Sequence, residues 1–441
     1  MCIRDRHRLD ERSSHTSRQE TAWRTLHPKH CAAKQRSRLV SEPEEPYDIV
    51  IIGGGITGAG IARDAALRGL RVAHFEKGDV AHGTSSQSSK LIHGGLRYLE
   101  QAELGLVFES VSERLVQMQM APHLVRPLAF MVPVFEDIRV GLELMNIGLW
   151  IYDMLALLRS PKLHKTLRGA DKVHELEPDI RYQGLTGAIV YYDCGTDDSR
   201  LVLENVISAV EHGARCESYT EVFEILRECG QVSAVRIRDT ITGKESLVKT
   251  SSIAMATGPW SDKIIPEIGV RMKTPILSPT KGTHLVFRHD KLPLQRAMTV
   301  MSPIDGRVMF AIPWRGRTVI GTTDTYFDGD PDQVHASAED VEYLCKSANY
   351  LFPKANFSVD DVIATWAGLR PLIHEEADSA SDVSREHQIY VNDDGVLLIA
   401  GGKLTTYRLM AKDLVKASIR WLRDHKNDLF ADREPQKPHT K

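Results

Sequence analysis

The chain has 441 residues, which is enough for two or three domains with a sizeable apolar core. Hydrophobic residues make up 42% and charged residues 26%, as in ordinary soluble proteins, so collagen-like and wholly disordered chains are excluded. The net charge of -3 lacks the basic excess of a nucleic-acid binder, and we expect no nucleic-acid partner. The six cysteines show neither a C-x-x-C pair nor a metal-ligand spacing, which predicts free thiols in a reducing compartment and no metal site.

The first 46 residues lack the apolar stretch of a secretory signal. They are rich in arginine, but Asp5, Asp10, Glu11 and Glu20 argue against a transit peptide. We interpret this segment as a disordered extension outside the fold. No uncharged apolar run reaches the roughly 18 residues of a spanning helix.

Ordered structure is predicted to begin with a βαβ unit. Residues 48–52 form an apolar, β-branched run typical of a buried parallel strand. The glycine-rich turn 53–58 and a helical pattern follow, and residues 71–75 predict a second strand that ends at Glu76. Such a unit opens a doubly wound α/β sheet.

The turn carries the G-x-G-x-x-G pattern at Gly53, Gly55 and Gly58, with a strand before it and a helix after it. The glycines allow a tight turn and a close approach of pyrophosphate to the helix N-terminus, near Thr57. Glu76 is placed to accept hydrogen bonds from a ribose diol, and its carboxylate would repel the 2′-phosphate of NADP. This context favours a dinucleotide site over a glycine-rich turn without a ligand, but it does not decide between FAD and NAD.

A segment rich in hydroxyl groups follows the second strand and runs into an apolar, glycine-containing stretch. Its hydroxyls can bind pyrophosphate and ribityl oxygens, its two glycines allow the backbone to approach a flat ring, and Arg97 and Tyr98 would project beyond that ring. The alternative interpretation is a polar surface loop. The cofactor-binding residues predicted here are Thr84, Ser85, Ser88, Ser89, Lys90, Leu91, His93, Gly94 and Gly95.

Further dinucleotide-type segments lie late in the chain. Residues 251–256 predict a strand that ends at Thr257 and Gly258, and residues 281–324 predict several short antiparallel strands. Residues 395–400 predict another buried strand, followed by two glycines and a helix from about 405 to 421. The cofactor-binding residues predicted in these parts are Val222, which would contact adenine, and Thr257, Gly258, Gly401, Gly402, Lys403, Leu404 and Thr405.

Several long motifs in order resemble the FAD-dependent, quinone-linked glycerol-3-phosphate dehydrogenases. The resemblance covers roughly residues 47–421. The motifs that carry it are Thr84–Leu99, Ala256–Trp260, Lys281–His284, Gly321–Asp324, Gly368–Pro371 and Gly401–Arg408. It implies FAD held non-covalently in a doubly wound α/β domain of the glutathione-reductase and D-amino-acid-oxidase type, with an inserted antiparallel-sheet substrate domain. It also implies oxidation of sn-glycerol 3-phosphate to dihydroxyacetone phosphate, with electrons passed to a quinone.

The resemblance suggests a division of the chain and shows one departure from the family. Family members continue into a C-terminal helical domain, whereas this chain ends in a polar tail from about Arg423. The predicted segments are a disordered extension (1–46), three parts of the FAD-binding domain (47–125, 185–262 and 388–425), a helical insertion (126–184), a substrate domain (263–387) and the tail (426–441).

The reaction requires a base near the substrate hydroxyl and cations for its phosphate. His284, in a Gly-Thr-His strand, is the predicted base, and a structural histidine is the alternative. Arg97, Arg370 and Lys403 are predicted to bind phosphate and other substrate oxygens, with Tyr98 beside them. Gly401 and Gly402 open a late helix, whose dipole would lie near the flavin pyrimidine ring.

The last predictions concern the electron acceptor and the cellular location. Residues 141–158 are strongly apolar and are followed by cations, which fits either a helix lying on an anionic membrane or a buried core helix. We expect a cytoplasmic protein, peripherally bound to the inner face of the membrane, that can form a homodimer. A glycerol-phosphate oxidase that uses oxygen and a non-catalytic flavin-binding relative remain alternatives.

Overall fold

The structure is a computed structural model that describes residues 45–95, 103–136, 141–156, 162–374 and 386–426. The predicted N-terminal extension, except its last two residues, and the predicted tail from residue 427 onward lie outside the described residues. Among the described residues, no helix is long and apolar enough to cross a membrane.

The described elements follow the alternation of strands and helices expected from the sequence. The helices are α1 (Ile56–Leu67), α2 (Leu104–Met120), α3 (Leu142–Leu155), α4 (Ala170–His174), α5 (Asp198–Glu211), α6 (Ser261–Glu267), α7 (Ala338–Leu351) and α8 (Tyr407–His425). The strands are β1 (Ile49–Ile52), β2 (Val72–Phe75), β3 (Leu91–Ile92), β4 (Arg126–Phe135), β5 (Lys165–Arg168), β6 (Leu185–Gly195), β7 (Arg215–Glu217), β8 (Thr220–Glu228), β9 (Gln231–Asp239), β10 (Glu245–Lys249), β11 (Ile253–Met255), β12 (Thr280–Arg288), β13 (Ala297–Met301), β14 (Val308–Trp314), β15 (Arg317–Gly321), β16 (Thr325–Tyr326), β17 (Ala364–Arg370), β18 (His387–Val391) and β19 (Val396–Gly401).

The first sheet has six strands in the order β18-β19-β11-β1-β2-β7. All neighbours are parallel except the edge strand β18, which runs antiparallel to β19. Every residue of β1 is buried, because the sheet is covered on both faces. Parallel strands place their carboxyl ends at one edge, which is where the ligands of such sheets bind.

The two faces of β1 pack against different partners. Ile49 and Ile51 share a buried cluster with residues of α1 and α8. Val50 and Ile52 point the other way and share a cluster with Val222 of the three-stranded sheet β10-β9-β8. The alternation follows from the two-residue repeat of a strand, and it makes this part of the molecule a helix-sheet-sheet sandwich.

The second large sheet has ten strands and is mostly antiparallel. Its main path is β16-β12-β15-β14-β13-β4-β6-β3, with β17 paired to β12 and β5 paired to β6. The pairs of β12 with β15 and β17 bring His284 opposite both Gly321 and Trp366. The predicted doubly wound α/β fold with an antiparallel-sheet module is therefore confirmed.

The domain boundaries stay a prediction. Two strands, β4 and β6, belong to the ten-stranded sheet although the predicted boundaries assign them to other segments. The predicted helical insertion begins with β4, and β6 lies at the start of the predicted second FAD-binding part. Both strands belong to the ten-stranded sheet, where they pair along almost their whole length. The apolar residues of β4 and β6 pack into that sheet's core, so these segments belong to the ten-stranded sheet.

Candidate functional site

A cavity of about 540 Å³ lies between the carboxyl ends of β1, β11 and β19 and the strands β12 and β17. Residues Gly53–Gly55 and Glu76 line one part of it, and His284 and Arg370 line another. The volume is in the range of small-molecule and cofactor sites. The cavity thus joins the predicted dinucleotide turn to the predicted catalytic residues.

The glycine-rich turn is packed so tightly that side chains do not fit at two of its positions. Gly53 has a φ of +112°, and a Cβ there would lie 2.5 Å from the Ala256 oxygen. A Cβ on Gly58 would lie 1.9 Å from the Gly53 oxygen. The third glycine thus allows close packing of α1 against the turn rather than contact with the cavity.

The start of α1 and the end of β2 carry the polar groups of this turn. The backbone N–H of Ile56 donates to the Ser85 hydroxyl at 2.9 Å. The Glu76 carboxylate accepts from the backbone N–H groups of Gly54 at 2.6 Å and Gly78 at 2.8 Å. These bonds fix the carboxylate at the cavity wall, where its remaining lone pairs can accept from a ribose diol. Val222 lines the same cavity.

Several side chains of the hydroxyl-rich segment, residues 84–90, form hydrogen bonds or ion pairs with other parts of the protein. Thr84 donates to the Leu369 oxygen at 2.6 Å, and Ser88 donates to the Asp198 carboxylate at 2.6 Å. Lys90 is buried and pairs with Asp198 at 2.8 Å, and it does not line the cavity. The structure therefore assigns the Lys90 ammonium to a buried ion pair, because a charge at that depth requires a partner. Ser88 and Ser89 still line the cavity.

The two glycines after His93 also lie outside the cavity lining. The Gly94 N–H donates to the Tyr152 hydroxyl at 3.1 Å and to the Asp193 carboxylate at 3.2 Å. A Cβ on Gly94 would lie 2.1 Å from the Tyr152 hydroxyl. The close approach at Gly94 is thus to a buried Tyr152–Asp193–Arg114 cluster and not to a ring in the cavity.

His284 lines the cavity from β12 with a buried side chain. Its Nε2 lies 2.8 Å from the Ser89 hydroxyl, and its Nδ1 has no hydrogen-bond partner among the described residues. Burial, together with the positive charges of Arg370 and Lys90, lowers the pKa of His284 to about 3. The imidazole is therefore neutral at physiological pH, with one ring nitrogen that carries a lone pair.

Two of the predicted cations, Arg370 and Lys403, line the same cavity as His284. Arg370 donates to Asp324 at 2.9 Å and to the Thr322 hydroxyl at 3.0 Å, which holds its guanidinium beside the cavity. Lys403 also lines the cavity. Arg97 and Tyr98 lie outside the described residues.

The late glycine pair also lines the cavity. Gly401 and Gly402 have φ of +74° and +78°, conformations that favour glycine. A Cβ on Gly402 would also lie 2.4 Å from the Met410 sulfur. The Thr405 hydroxyl contacts both backbone polar groups of His93, at 3.3 and 3.2 Å, so the early and late motifs are joined directly.

Most predicted site residues share this one cavity, although their roles toward cofactor and substrate remain predictions. Those that line it are Gly53, Gly55, Thr57, Glu76, Thr84, Ser85, Ser88, Ser89, Leu91, His93, Val222, Thr257, Gly258, His284, Arg370, Gly401, Gly402, Lys403, Leu404 and Thr405. The sequence did not predict that Lys77 and Lys263 line the cavity or that Asp198 pairs with Lys90. Isolated charged residues outside a motif carry no local signal of such contacts. Trp260 lay within a recognised motif but was given no role.

Comparison with known proteins places this site in a family. The family model described as FAD dependent oxidoreductase matches residues 48–413. The chain belongs to this family of FAD dependent oxidoreductases.

Its relatives narrow the assignment to the aerobic glycerol-3-phosphate dehydrogenases. The enzyme of that name from Bacillus subtilis (strain 168) is 42% identical over 382 residues, covering 86% of this chain and 68% of the relative. The one from Staphylococcus aureus (strain USA300) is 41% identical over 84% of this chain and 66% of the relative. The chain thus spans about two thirds of the length of these relatives.

Solved structures agree with the family assignment and with the similarity to glycerol-3-phosphate dehydrogenases. The glycerol-3-phosphate dehydrogenase from Bacillus halodurans, solved with FAD, is 33% identical with a TM-score of 0.74, over 93% of this chain and 70% of the other. Glycine oxidase from Geobacillus kaustophilus is 22% identical with a TM-score of 0.64, over 85% of this chain and 95% of the other, which shows a shared fold.

The residues present fit FAD, which is the cofactor of this family. The packing of Gly53 and Gly58 leaves room only for glycine, as a pyrophosphate-binding turn requires. The Glu76 carboxylate, fixed by two backbone N–H groups, suits a ribose diol. Gly401 and Gly402 line the same cavity, so one elongated ligand can contact both the early turn and the late glycine pair.

Proposed function

We propose that this chain oxidises sn-glycerol 3-phosphate to dihydroxyacetone phosphate, with FAD as the hydride acceptor and a quinone as the final acceptor. The observation that carries the proposal is the single cavity that joins the dinucleotide turn to His284, Arg370 and Lys403. The identity of 42% to an aerobic glycerol-3-phosphate dehydrogenase supports the choice of substrate.

Three cavity side chains and the cofactor have defined roles in the proposed reaction. FAD, when bound, supplies the two-electron oxidation by taking a hydride from the substrate carbon. The neutral imidazole of His284 accepts the proton of the substrate hydroxyl. Arg370 and Lys403 provide positive charge for the phosphate, and the Asp324 contact keeps the guanidinium in place. Arg97 and Tyr98 are proposed to complete this anion site.

The test is an anaerobic visible spectrum of the purified chain before and after addition of sn-glycerol 3-phosphate. We expect a flavin spectrum that bleaches with this substrate and stays unchanged with sn-glycerol 1-phosphate. A flavin spectrum that persists would contradict the proposed substrate. Oxygen uptake with and without a quinone analogue then tests the acceptor, and fast uptake without the analogue would favour an oxidase.

We also propose that α3 rests on the inner face of the cytoplasmic membrane. Its side chains Leu144, Ile147, Ile151 and Met154 lie on one helical face and are exposed, between 42% and 65%. Leu149 and Tyr152 on the opposite face are buried. An exposed apolar stripe of this kind, near the exposed cations Lys162 and Lys165, suits an anionic bilayer surface.

Co-sedimentation with anionic vesicles tests the membrane proposal. We expect Ile147→Glu and Met154→Glu to reduce binding strongly, and Lys162→Glu to reduce it less. Val359→Glu, at an equally exposed apolar position elsewhere, is the matched control. Equal binding by all variants would overturn the proposal. A homodimer also remains a proposal, to be tested by light scattering of the purified chain.

A further inference from the structure

The buried face of α2 is mostly polar. Six residues of α2 are buried, and four of them have polar side chains: Ser110, Glu113, Arg114 and Gln117. None of these four lines the cavity. Burying a polar side chain costs free energy unless it finds hydrogen-bond partners, so the partners of these residues indicate what the helix holds in place.

Gln117 holds the late motif of the cavity. It is 1% exposed, and its Nε2 donates to the backbone oxygen of Thr405 at 2.6 Å. A carbonyl oxygen can only accept, so this contact fixes which end of the amide faces Thr405. The Thr405 hydroxyl accepts from the backbone N–H of His93 at 3.3 Å and donates to the His93 oxygen at 3.2 Å. A chain of hydrogen bonds therefore runs from α2 through Thr405 to His93, and the last two residues line the cavity.

Arg114 lies three residues before Gln117, on the same face of α2, and holds the next backbone group after His93. Its guanidinium pairs with the Asp193 carboxylate and donates to the Tyr152 hydroxyl at 3.2 Å. The same carboxylate and hydroxyl accept from the backbone N–H of Gly94, at 3.2 and 3.1 Å. The backbone at His93 and Gly94 is thus held from two sides by groups that α2 holds in turn.

The other contacts of this face distinguish Gln117 from Glu113. The Glu113 carboxylate accepts from the Arg408 guanidinium at 3.0 Å, which joins α2 to α8 by side chains alone. Gln117 instead reaches the backbone of a residue that lines the cavity. Its Oε1 is buried and has no hydrogen-bond partner among the described residues. An apolar side chain of similar size would avoid that cost, and the amide offers only the bond to Thr405 in return.

We propose that Gln117 is a positioning residue for the cofactor site, whose bond to Thr405 sets, through the Thr405 hydroxyl, the position of His93 against bound FAD. Gln117 lies behind the cavity lining, so it acts through Thr405 and does not touch the cofactor itself. The inference depends on the binding of FAD and not on the proposed substrate. It can therefore be tested without sn-glycerol 3-phosphate.

The first test compares Gln117→Met and Gln119→Met by titration of the full chain with FAD, followed by quenching of flavin fluorescence. Methionine has a similar size to glutamine but lacks the N–H donor, so we expect FAD to bind about 3- to 10-fold more weakly, the effect of one hydrogen bond. Gln119 is exposed on the same helix, and its variant is the matched control with wild-type affinity. Gln117→Asn is too short to reach the Thr405 oxygen and should show the same loss, which keeps the test valid if the methionine variant fails to fold.

A double-mutant cycle with Thr405→Val tests whether Gln117 acts through Thr405. Valine keeps the shape of the side chain and removes the hydroxyl that contacts His93. We expect Gln117→Met to weaken FAD binding much less in the Thr405→Val background than in the wild type, because the chain of hydrogen bonds is already broken there. Fully additive losses would contradict the proposal.

The visible spectrum of the FAD-saturated protein separates a positioning role from a purely structural one. A shift of Thr405 and His93 changes the surroundings of the bound flavin. We therefore expect Gln117→Met and Thr405→Val to give similar difference spectra against the wild type, and Gln119→Met to give none. Lower thermal stability of Gln117→Met, with wild-type FAD affinity and an unchanged flavin spectrum, would assign Gln117 to the packing of α2 and overturn the proposal.

Discussion

Arg370 is the cavity cation whose surroundings the structure defines most completely. It lies on β17, which pairs with β12 along the strand that carries His284. A Cβ on Gly282 would lie 2.5 Å from the guanidinium, so a side chain there would displace it. Asp324 and Thr322 hold the same group from the other side. The planar fork of arginine, fixed in this way, offers directed N–H donors as well as charge.

We therefore predict that Arg370→Ala lowers kcat/KM for sn-glycerol 3-phosphate by about 100-fold, as expected when a hydrogen bond to a charged group is lost. Arg370→Lys should lose less, because it keeps the charge without the fork. FAD content, read from the visible spectrum, should stay within about threefold of the wild type. Arg317→Ala, an exposed arginine on β15, is the control, and a full rate in Arg370→Ala would refute the assigned role.

Some contacts of the site could be predicted from the sequence, and others could not. The motifs predicted that His284, Arg370 and the hydroxyl-rich segment would lie near one another, and they line one cavity. The motif around Lys90 does not reveal that its partner is Asp198, because an ion pair between residues far apart in the chain leaves no local pattern. The sequence likewise predicts that Gly94 allows the backbone to approach a flat ring, and no local pattern reveals that Tyr152 packs against it.

At the scale of elements, two glycines in the first turn of a helix have opposite roles. Gly58 lies inside α1, where a Cβ would lie 1.9 Å from the Gly53 oxygen, whereas nothing lies within 4 Å of a Cβ on Gly105 in α2. Helix propensity favours alanine over glycine by about 1 kcal/mol at an interior position. Packing against backbone overrides that preference at Gly58, because the backbone of the turn has no room to move away.

Accordingly, we predict that Gly58→Ala abolishes or severely weakens FAD binding, since α1 must separate from the glycine-rich turn. Gly105→Ala should bind FAD normally and should be as stable as the wild type, or slightly more stable. Titration of FAD by fluorescence quenching, together with thermal unfolding of both variants, checks the pair. Unchanged FAD affinity in Gly58→Ala would contradict the packing argument.

Strand pairing explains why the first sheet was predictable, whereas in the second sheet the places of β4 and β6 were not. The strands of the six-stranded sheet are short apolar runs next to diagnostic turns, and the predicted runs at 48–52, 71–75 and 395–400 each contain most of the observed strand. The ten-stranded sheet joins β4 to β6 and β13, which are distant in the chain. Local periodicity indicates that a strand exists but not which strand lies beside it.

For the molecule as a whole, two buried histidines couple stability to pH. Burial lowers the pKa of both His74 and His284, to about 3 for His284. In the unfolded chain both return to about 6.5, so below that pH the unfolded state binds more protons than the folded state. Stability is therefore fully present above about pH 6.5 and falls as the pH is lowered towards the folded-state values.

We predict that the free energy of unfolding in urea decreases between about pH 7 and 5, with each histidine contributing up to about 1.4 kcal/mol per pH unit below 6.5. His284→Asn should reduce the slope of the unfolding free energy against pH by the contribution of one proton. All measurements are made with excess FAD. An equal slope in the variant and the wild type would show that His284 does not titrate on unfolding.

The two sheet regions are also tied across the edge of the cavity by a cluster that we call the Asp332 clasp: Lys77, Trp260, Lys263, Asp330 and Asp332. Asp332 accepts from the Trp260 indole at 2.8 Å and pairs with Lys263 at 2.7 Å and Lys77 at 3.3 Å. Lys263 also pairs with Asp330 at 2.9 Å. Lys77, Trp260 and Lys263 line the cavity, whereas the aspartates come from the segment between β16 and α7. Opening this edge of the cavity therefore requires several contacts to break together.

We expect the clasp to make the release of FAD sensitive to salt. Exposed ion pairs are individually weak and are screened by salt, with a Debye length of about 3 Å at 1 M. We predict that Asp332→Asn releases FAD about fivefold faster or more at low salt, as measured by the recovery of flavin fluorescence after dilution. High salt should accelerate release from the wild type and have little further effect on the variant. Asp290→Asn breaks an exposed pair with Arg288 away from the cavity and should leave release unchanged. If Asp332→Asn and Asp290→Asn release FAD at the same rate, the Asp332 clasp does not control exchange of the cofactor.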